Sequence, residues 1–404
     1  MQLPEDFIRE TRQLMGESRF SRLMGALDEE PPVSIRLNPR KVSQAGGHSP
    51  VPWCAEGFYL EGRPQFTFDP LFHAGCYYVQ EASSMFITHV LRHTPLFSSL
   101  GGGSKRGVVV LDLCAAPGGK STAAISVLPE GSTLVSNEPN PTRAQILLEN
   151  ITKWGYGNTI VTNAYPRDFR KAKARFDIIL CDVPCSGEGM FRKDPGAISE
   201  WSLQNVEKCW RLQREIVADA WECLNPGGIL IYSTCTYNTK ENEENIRWIR
   251  QQYDAEVLAI PTRSEWGITG SLLEGFDAPV YRFIPGYTRG EGLFMAVLRK
   301  AVSEQRQPST GYPKLKTLTA DLPQGDFPRI GLSYPEALRY LRGEALVLPP
   351  DTPRGIVTVT YKGFPLGPAK NIGNRANNLY PKPWRIKTTH LPSEPPQILD
   401  QIVK

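Results

Sequence analysis

The chain has 404 residues, a net charge of +4 and 40% apolar content, which suits about two to three domains with sizeable cores. No run approaches the ~18 apolar residues of a spanning helix, and the start MQLPEDFIRETRQLMGESRF lacks the apolar region of a secretion signal. A cytoplasmic protein off the membrane is therefore expected, with its eight cysteines as free thiols.

Residues 1–104 combine an amphipathic N-terminal helix with Pro/Gly-rich segments and end in the glycine-rich break GGGSKRG. Within them, HVLRH (89–93) spaces two histidines like a zinc-protease helix but has Val90 in place of the glutamate, so it reads as helix surface. No cysteine pair has C-x-x-C spacing either, and no metal site is expected. From about 105 to 300, apolar runs alternate with helical periodicity. VVVLDL (108–113) predicts a buried parallel strand, followed by a helix from about Gly119. STLVSN and TIVTN are the next strands, flanking the helix PTRAQILLENITKW, and FDIILCD (176–182) is the fourth. Asp194-Pro195 supplies an N-cap and a proline at N1 for one long helix towards Leu224. GGILIYSTC (227–235) is the fifth strand, and Asn238 with Glu241 three residues on predicts a capping box opening the next helix. VYRFI and LFMAVL close the block as an antiparallel pair. This alternation defines an α/β, doubly wound sheet. Residues 301–314 read as a linker and 315–404 as a third block. There, Arg354 to Lys387 holds seven Lys/Arg and no acid, interleaved with Tyr361, Phe364, Tyr380 and Trp384. Cations with exposed aromatics suit a nucleic-acid face.

The stretch LDLCAAPGGKST (111–122) resembles a phosphate-binding P-loop only at its end. The position five before Gly119 is Cys114, not glycine, and Pro117 donates no N–H, so a phosphate cradle is not expected. In a doubly wound sheet the turn after the first strand holds a ligand. Its small residues Ala115, Ala116, Gly118 and Gly119 allow close backbone approach. Glu138, about twenty residues on at the end of the second strand, is placed to accept hydrogen bonds from a ribose diol. Without the dinucleotide fingerprint, S-adenosylmethionine fits better than NAD.

In strand order 3-2-1-4-5, Asp182 and Cys185 after strand four and Cys235 after strand five converge beside that loop. Thiols and an acid near a methyl donor suit methylation of pyrimidine carbon 5. A thiolate adding to carbon 6 makes carbon 5 nucleophilic, and an acid can hydrogen-bond the exocyclic amine of cytosine. Lys120 would lower a neighbouring thiol pKa and support charge on the ring. Cys181, Cys209 and Cys223 read as core residues, and Cys114 as a packing or backbone element of the loop. Spacing alone does not decide which of Cys185 and Cys235 is the nucleophile.

The motifs DLCAAPGGK, DVPCSGEGMFRKDP and YSTCTYNTKENEENI closely resemble the Nol/Nop/Sun family of RNA cytosine-5 methyltransferases, over about Phe68 to Lys300. HAGCYYVQEASSM and SIRLNP resemble that family's N-terminal regions. VTYKGFPLGPAKNIGNRANNLYPKPWRI resembles the PUA-like RNA-binding module of its bacterial RsmF-type members, which act on small-subunit (16S) ribosomal RNA. The resemblance implies a class I (Rossmann-like) S-adenosylmethionine-dependent methyltransferase domain at 105–300, an α+β substrate-positioning domain at 1–104 and a PUA-like domain at 315–404. It implies Cys235 as nucleophile and Cys185 as the residue assisting product release, with Asp182 and Lys120 completing the catalytic set. The cofactor contacts it implies are Cys114, Ala115, Ala116, Pro117, Gly118, Gly119, Lys120, Glu138 and Asp182, supported by Arg143. The implied partner is ribosomal RNA, free or in the 30S particle or its assembly intermediate, for a monomeric enzyme.

The sequence departs from the family at two places. TNAYPRDF puts Tyr165 where an aspartate near adenine is common, so either Asn163 contacts adenine or Tyr165 packs on it, and Gly286 stands where histidine is frequent. The competing functions are a DNA or transfer-RNA cytosine methyltransferase and a non-catalytic RNA-binding ribosome assembly factor.

Overall fold

A computed structural model describes residues 1–44, 46–98, 107–302, 315–388 and 390–399. Most of the GGGSKRG break and residues 303–314 of the expected linker lie outside them. Helix α1 (Glu5–Leu27) turns at Gly16, where φ is +72°, and buries Phe7, Met15, Phe20 and Leu23. Strands β1 (Val33–Leu37), β2 (Ser49–Val51), β3 (Cys54–Leu60) and β4 (Tyr77–Val79) form an antiparallel sheet in the order β2-β3-β1-β4. Helix α2 (Phe86–Arg92) follows. His89 is half-buried against Trp266 and His93, just past the helix, is exposed, their rings 4.1 Å apart.

The central sheet starts with β5 (Val109–Asp112), α3 (Gly119–Val127), β6 (Thr133–Asn137), α4 (Pro141–Trp154), β7 (Thr159–Thr162) and β8 (Phe176–Asp182). Next come α5 (Pro195–Glu200), α6 (Leu203–Cys223), β9 (Leu224–Thr234), α7 (Glu243–Gln252) and β10 (Ala255–Val257). β11 (Tyr281–Phe283) and β12 (Leu293–Lys300) pair antiparallel, as expected. The sheet runs β10-β12-β9-β8-β5-β6-β7, with β5 to β9 parallel in the predicted 3-2-1-4-5 order. Crossover helices cover both faces, so its strands are near-continuously apolar and buried. β13 (Thr317–Leu318) adds to the free edge of β7, so the third block contributes to this sheet before forming its own.

Two local expectations are corrected. The helix from Pro195 stops at Glu200, because Trp201 turns inward to donate from Nε1 to Glu188 and pack on Phe7, and Ser202 caps a second helix. Asn238 opens a turn rather than a helix. Its Oδ1 accepts from Glu241 N at 2.9 Å, but Glu241 points into the interior and α7 starts two residues later.

The last module is β14 (Arg329–Leu332), α8 (Tyr334–Leu341), β15 (Gly355–Tyr361), β16 (Phe364–Asn371) and β17 (Ala376–Asn378), in the strand order β14-β15-β16-β17. Ser333 and Glu336 form a capping box at the start of α8. The aromatics expected on an exposed face are not there. Tyr361, Phe364 and Tyr380 are buried and Trp384 half-buried, because a sheet this small has few other large side chains to fill its core. Most of the cations stay outside, as a basic skin over that core. Leu338 and Leu341 share a cluster with Ile35, Leu37 and Tyr77, joining the two terminal modules.

Candidate active site

The carboxyl ends of β5, β8 and β9 open into a cavity of about 450 Å³. The 114–119 turn forms one wall, and Gly118, at φ +115°, reverses the chain into α3 in a conformation glycine tolerates. Asp112, Cys114, Ala115, Ala116, Pro117, Gly119, Lys120, Asp182 and Cys235 reach this cavity. Cys185 and Cys235 meet behind it, Sγ to Sγ, at 3.3 Å. The hydrogen bond to Cys235 and burial hold the Cys185 thiol well above its usual range. Either sulfur can carry the proton between them, and the raised Cys185 pKa favours the thiol form there.

Lys120 Nζ donates to Asp182 Oδ2 at 2.9 Å, and Ser233 Oγ to Asp182 Oδ1 at 2.6 Å. Burial lowers the Lys120 pKa, but the charge of Asp182 and its hydrogen bond outweigh it, and the net shift is upwards. The site thus brings an ion pair, Lys120–Asp182, and two thiols to one cavity.

Other expected contacts brace the loop in this structure. Glu138 is buried behind the cavity wall, accepting from Asn140 N at 2.9 Å and lying 3.5 Å from Arg143. Arg143 donates to Ala116 O at 2.8 Å, and Asn163 Nδ2 to the carbonyls of Glu138 and Pro139. Tyr165 is exposed, with the Arg167 guanidinium 5.1 Å from the centre of its ring. Gly286 has φ +86°, and a Cβ there would lie 2.9 Å from the Arg22 backbone oxygen, which accounts for glycine at that position.

Sequence reasoning missed Asp112 and the wall from the N-terminal module. Asp112, which lines the cavity, accepts from Ser121 through Oδ2, while its buried Oδ1 has no hydrogen-bond partner among the described residues. Burial pushes this carboxyl up to about 7, against the Ser121 hydrogen bond. An orphaned acceptor fits a ligand with an ammonium or hydroxyl donor, and S-adenosylmethionine carries both. Tyr78, Gln80, Glu81 and Ser84 close the opposite wall. The buried Arg36 positions them, donating to Gln80 at 2.8 Å and to Thr122 on α3 at 2.6 Å. The only signal in the sequence was an arginine inside the apolar strand SIRLNP.

The parallel sheet and its ligand loop define a class I S-adenosylmethionine-dependent methyltransferase. Sequence profiles match on all three modules: residues 3–82 as "N-terminal domain of 16S rRNA methyltransferase RsmF", 104–299 as "16S rRNA methyltransferase RsmB/F" and 327–386 as "Methyltransferase RsmF PUA domain". The ribosomal RNA small subunit methyltransferase F of Enterobacter sp. (strain 638) is 31% identical, over 94% of this chain and 95% of that protein. Its namesake from Pectobacterium atrosepticum is 35% identical over 77% of this chain, but the match spans 65% of that protein's length. The chain belongs to the RsmF-type branch of the Nol/Nop/Sun methyltransferase family. Among solved structures, a methyltransferase homolog from Pyrococcus horikoshii superposes with a TM-score of 0.58 at 26% identity, over 74% of this chain and all of that one. NSun6 from the same organism gives 0.60 at 20% identity, over 74% of this chain and 99% of its own, a likeness of fold.

Proposed function

We propose that this protein forms 5-methylcytosine in RNA, with 16S ribosomal RNA as substrate, through a covalent bond between Cys235 and cytosine carbon 6. The observation that carries the reading is the pair of thiols 3.3 Å apart beside the Lys120–Asp182 pair. Cys235 adds to carbon 6 as thiolate, and Lys120 supports the charge that develops on the ring. Asp182 accepts from the exocyclic amine, an interaction that favours cytosine over uracil. S-adenosylmethionine, held by the 114–120 loop and Asp112, would supply an electrophilic methyl group for carbon 5 and leave as the neutral thioether. Glu138, Arg143 and Asn163 shape its adenosine end. Loss of the carbon-5 proton to solvent water returns the electron pair to the ring and breaks the carbon 6–sulfur bond. The Cys185 thiol, donating to the departing sulfur, stabilises it as thiolate.

Residues 105–300 then form the catalytic domain, 1–104 position the substrate and 315–404 bind RNA. The names of the relatives support ribosomal RNA, and such an enzyme works in the bacterial cytoplasm. The target must leave its stack to reach the thiols, which favours a loop or an assembly intermediate.

Wild type, Cys185→Ala and Cys235→Ala are mixed with small-subunit RNA and methyl-labelled S-adenosylmethionine. Labelled protein–RNA adducts that survive denaturation with Cys185→Ala alone support the assignment. Adducts with Cys235→Ala alone reverse the roles. No transfer by wild type to ribosomal RNA, with transfer to tRNA, moves the substrate to tRNA.

A further inference from the structure

The loops that carry the two cysteines exchange buried carboxylates. Glu241, after Cys235, reaches back to the Cys185 loop, where Oε2 accepts from Ser186 N at 3.0 Å. Glu188, after Cys185, reaches the other way, and its Oε2 accepts from Tyr237 N at 2.7 Å and Asn238 N at 3.0 Å. Asn238 Nδ2 lies between them, 3.0 Å from Glu188 Oε1 and 2.8 Å from Glu241 Oε1. Trp201 Nε1 completes Glu188 at 3.0 Å, and Gln213 Nε2 completes Glu241 at 2.7 Å while also donating to Pro184 O.

Both carboxylates are essentially inaccessible, at 2% and 0% exposure, and among the described residues neither lies in an ion pair. Burial pushes the Glu241 carboxyl up to about 7, so a charge there is costly on neutral donors alone, and an uncharged side chain would hold the loops more cheaply. The arrangement does provide a fixed length. Each carboxylate ties its own loop to backbone N–H groups within three residues of the opposite cysteine. Ser186 Oγ meets Thr236 Oγ1 at 2.9 Å, and Gly189 N donates to Cys235 O at 2.8 Å. A Cβ at Gly189 would lie 2.8 Å from that same oxygen, so the approach needs glycine.

We propose that Glu188 and Glu241 are positioning residues for methyl transfer, a crossed clamp that sets the separation of the Cys185 and Cys235 thiols. The inference rests on the two-thiol reading above, but its geometry can be read without RNA or cofactor. Hydrogen peroxide oxidises one thiol to a sulfenic acid and is reduced to water, the neighbouring thiol displaces a second water to close the disulfide, and the rate of that closing step reports how often the sulfurs meet. Wild type, Glu241→Gln, Glu188→Gln and Trp201→Phe are each exposed to peroxide, and the Cys185–Cys235 disulfide is followed by mass spectrometry of tryptic peptides.

A carboxamide accepts through one atom only and turns its NH₂ towards a donor, so both glutamine variants should cross-link at least about tenfold more slowly. Methyl transfer should fall by ~10²-fold in kcat, the cost of a misplacement of about 1 Å, with the KM for S-adenosylmethionine unchanged. Trp201→Phe removes one donor from Glu188 and keeps most of the ring packing. It should slow cross-linking by about threefold, and it tests the clamp if a glutamine variant does not fold. Folded variants that cross-link at the wild-type rate would overturn the proposal. Wild type that cross-links readily but methylates no RNA would refute the function proposed above and leave the clamp intact.

Discussion

Replacing Asp182 with asparagine tests the charge arrangement of the site most directly. The carboxylate accepts from Lys120 through Oδ2 and from Ser233 through Oδ1. An amide of the same shape has one acceptor, so one of these donors must face an NH₂ group. The Lys120 side chain is 16% exposed and that of Asp182 32%. Stripping the partner from a fully buried ion costs about 3–5 kcal/mol, whereas an exposed pair is worth ~0–1 kcal/mol. With one partner well covered and the other a third open, solvent screening places the loss at about 1–3 kcal/mol of stability.

The catalytic loss is separate. A hydrogen bond to a charged group is worth ~1.5–3 kcal/mol, so kcat/KM should fall by about 10- to 10²-fold. Urea unfolding measures the first effect and labelled methyl transfer to RNA the second. A double-mutant cycle with Lys120→Met should give a coupling of about 1–3 kcal/mol, because the double variant leaves no unpaired charge. The pH dependence has a definite sign. Lys120 is raised above its ordinary 10.5 in the folded protein. Its contribution is therefore fully present below that value and lost only as pH rises through the folded pKa. The stability gap between wild type and Asp182→Asn should be full at neutral pH and narrow as pH rises, first where the unpartnered, desolvated Lys120 of the variant loses its proton and then through the raised pKa of wild type. Additive single effects, or an asparagine variant with the wild-type rate, would refute the reasoning.

Asp112→Asn should become progressively stabilising towards neutral pH. The folded carboxyl titrates at about 7 against an ordinary 3.8, so its contribution is present below 3.8 and lost as pH rises through 7. The advantage of asparagine should grow by about 2–3 kcal/mol between pH 5 and 8 in urea unfolding, while S-adenosylmethionine binding by titration calorimetry weakens. An equal advantage at both pH values would contradict the burial argument. Glu243→Gln should cost about 3–5 kcal/mol, since it strips the partner from Arg282, which is 1% exposed. Arg282 also donates to Tyr237 O at 2.7 Å, two residues after Cys235, so methyl transfer should fall as well. Unaltered unfolding would show that the Arg282 charge is met elsewhere.

The parallel sheet could be read from residue order because buried parallel strands leave continuous apolar runs bounded by turn residues. VVVLDL and FDIILCD form strands on nearly the expected residues. The helix PTRAQILLENITKW begins and ends as expected, since Asn140 and Gly155 cap it within the local sequence. The long helix from Pro195 could not be read correctly. Its break depends on Trp201 finding Glu188 and Phe7, from parts of the chain that periodicity does not compare. The basic stretch misled for a similar reason, because composition cannot say which side of a small sheet an aromatic faces.

For the site, the sequence by itself determined the chemical inventory: a loop without a phosphate cradle, an acid and two cysteines at strand ends, and a lysine opening the helix. Strand order then brought these together, as the βα pattern requires. Only the tertiary structure decided that the thiols lie 3.3 Å apart, that Asp112, beside the cavity, keeps an oxygen unpaired among the described residues and that Glu138 is occupied by Arg143. It also brought in the wall from β4 and the buried Arg36. A motif specifies which groups a short segment carries. Their distances, and the desolvation that sets their protonation, arise from elements far apart in the chain packing against one another.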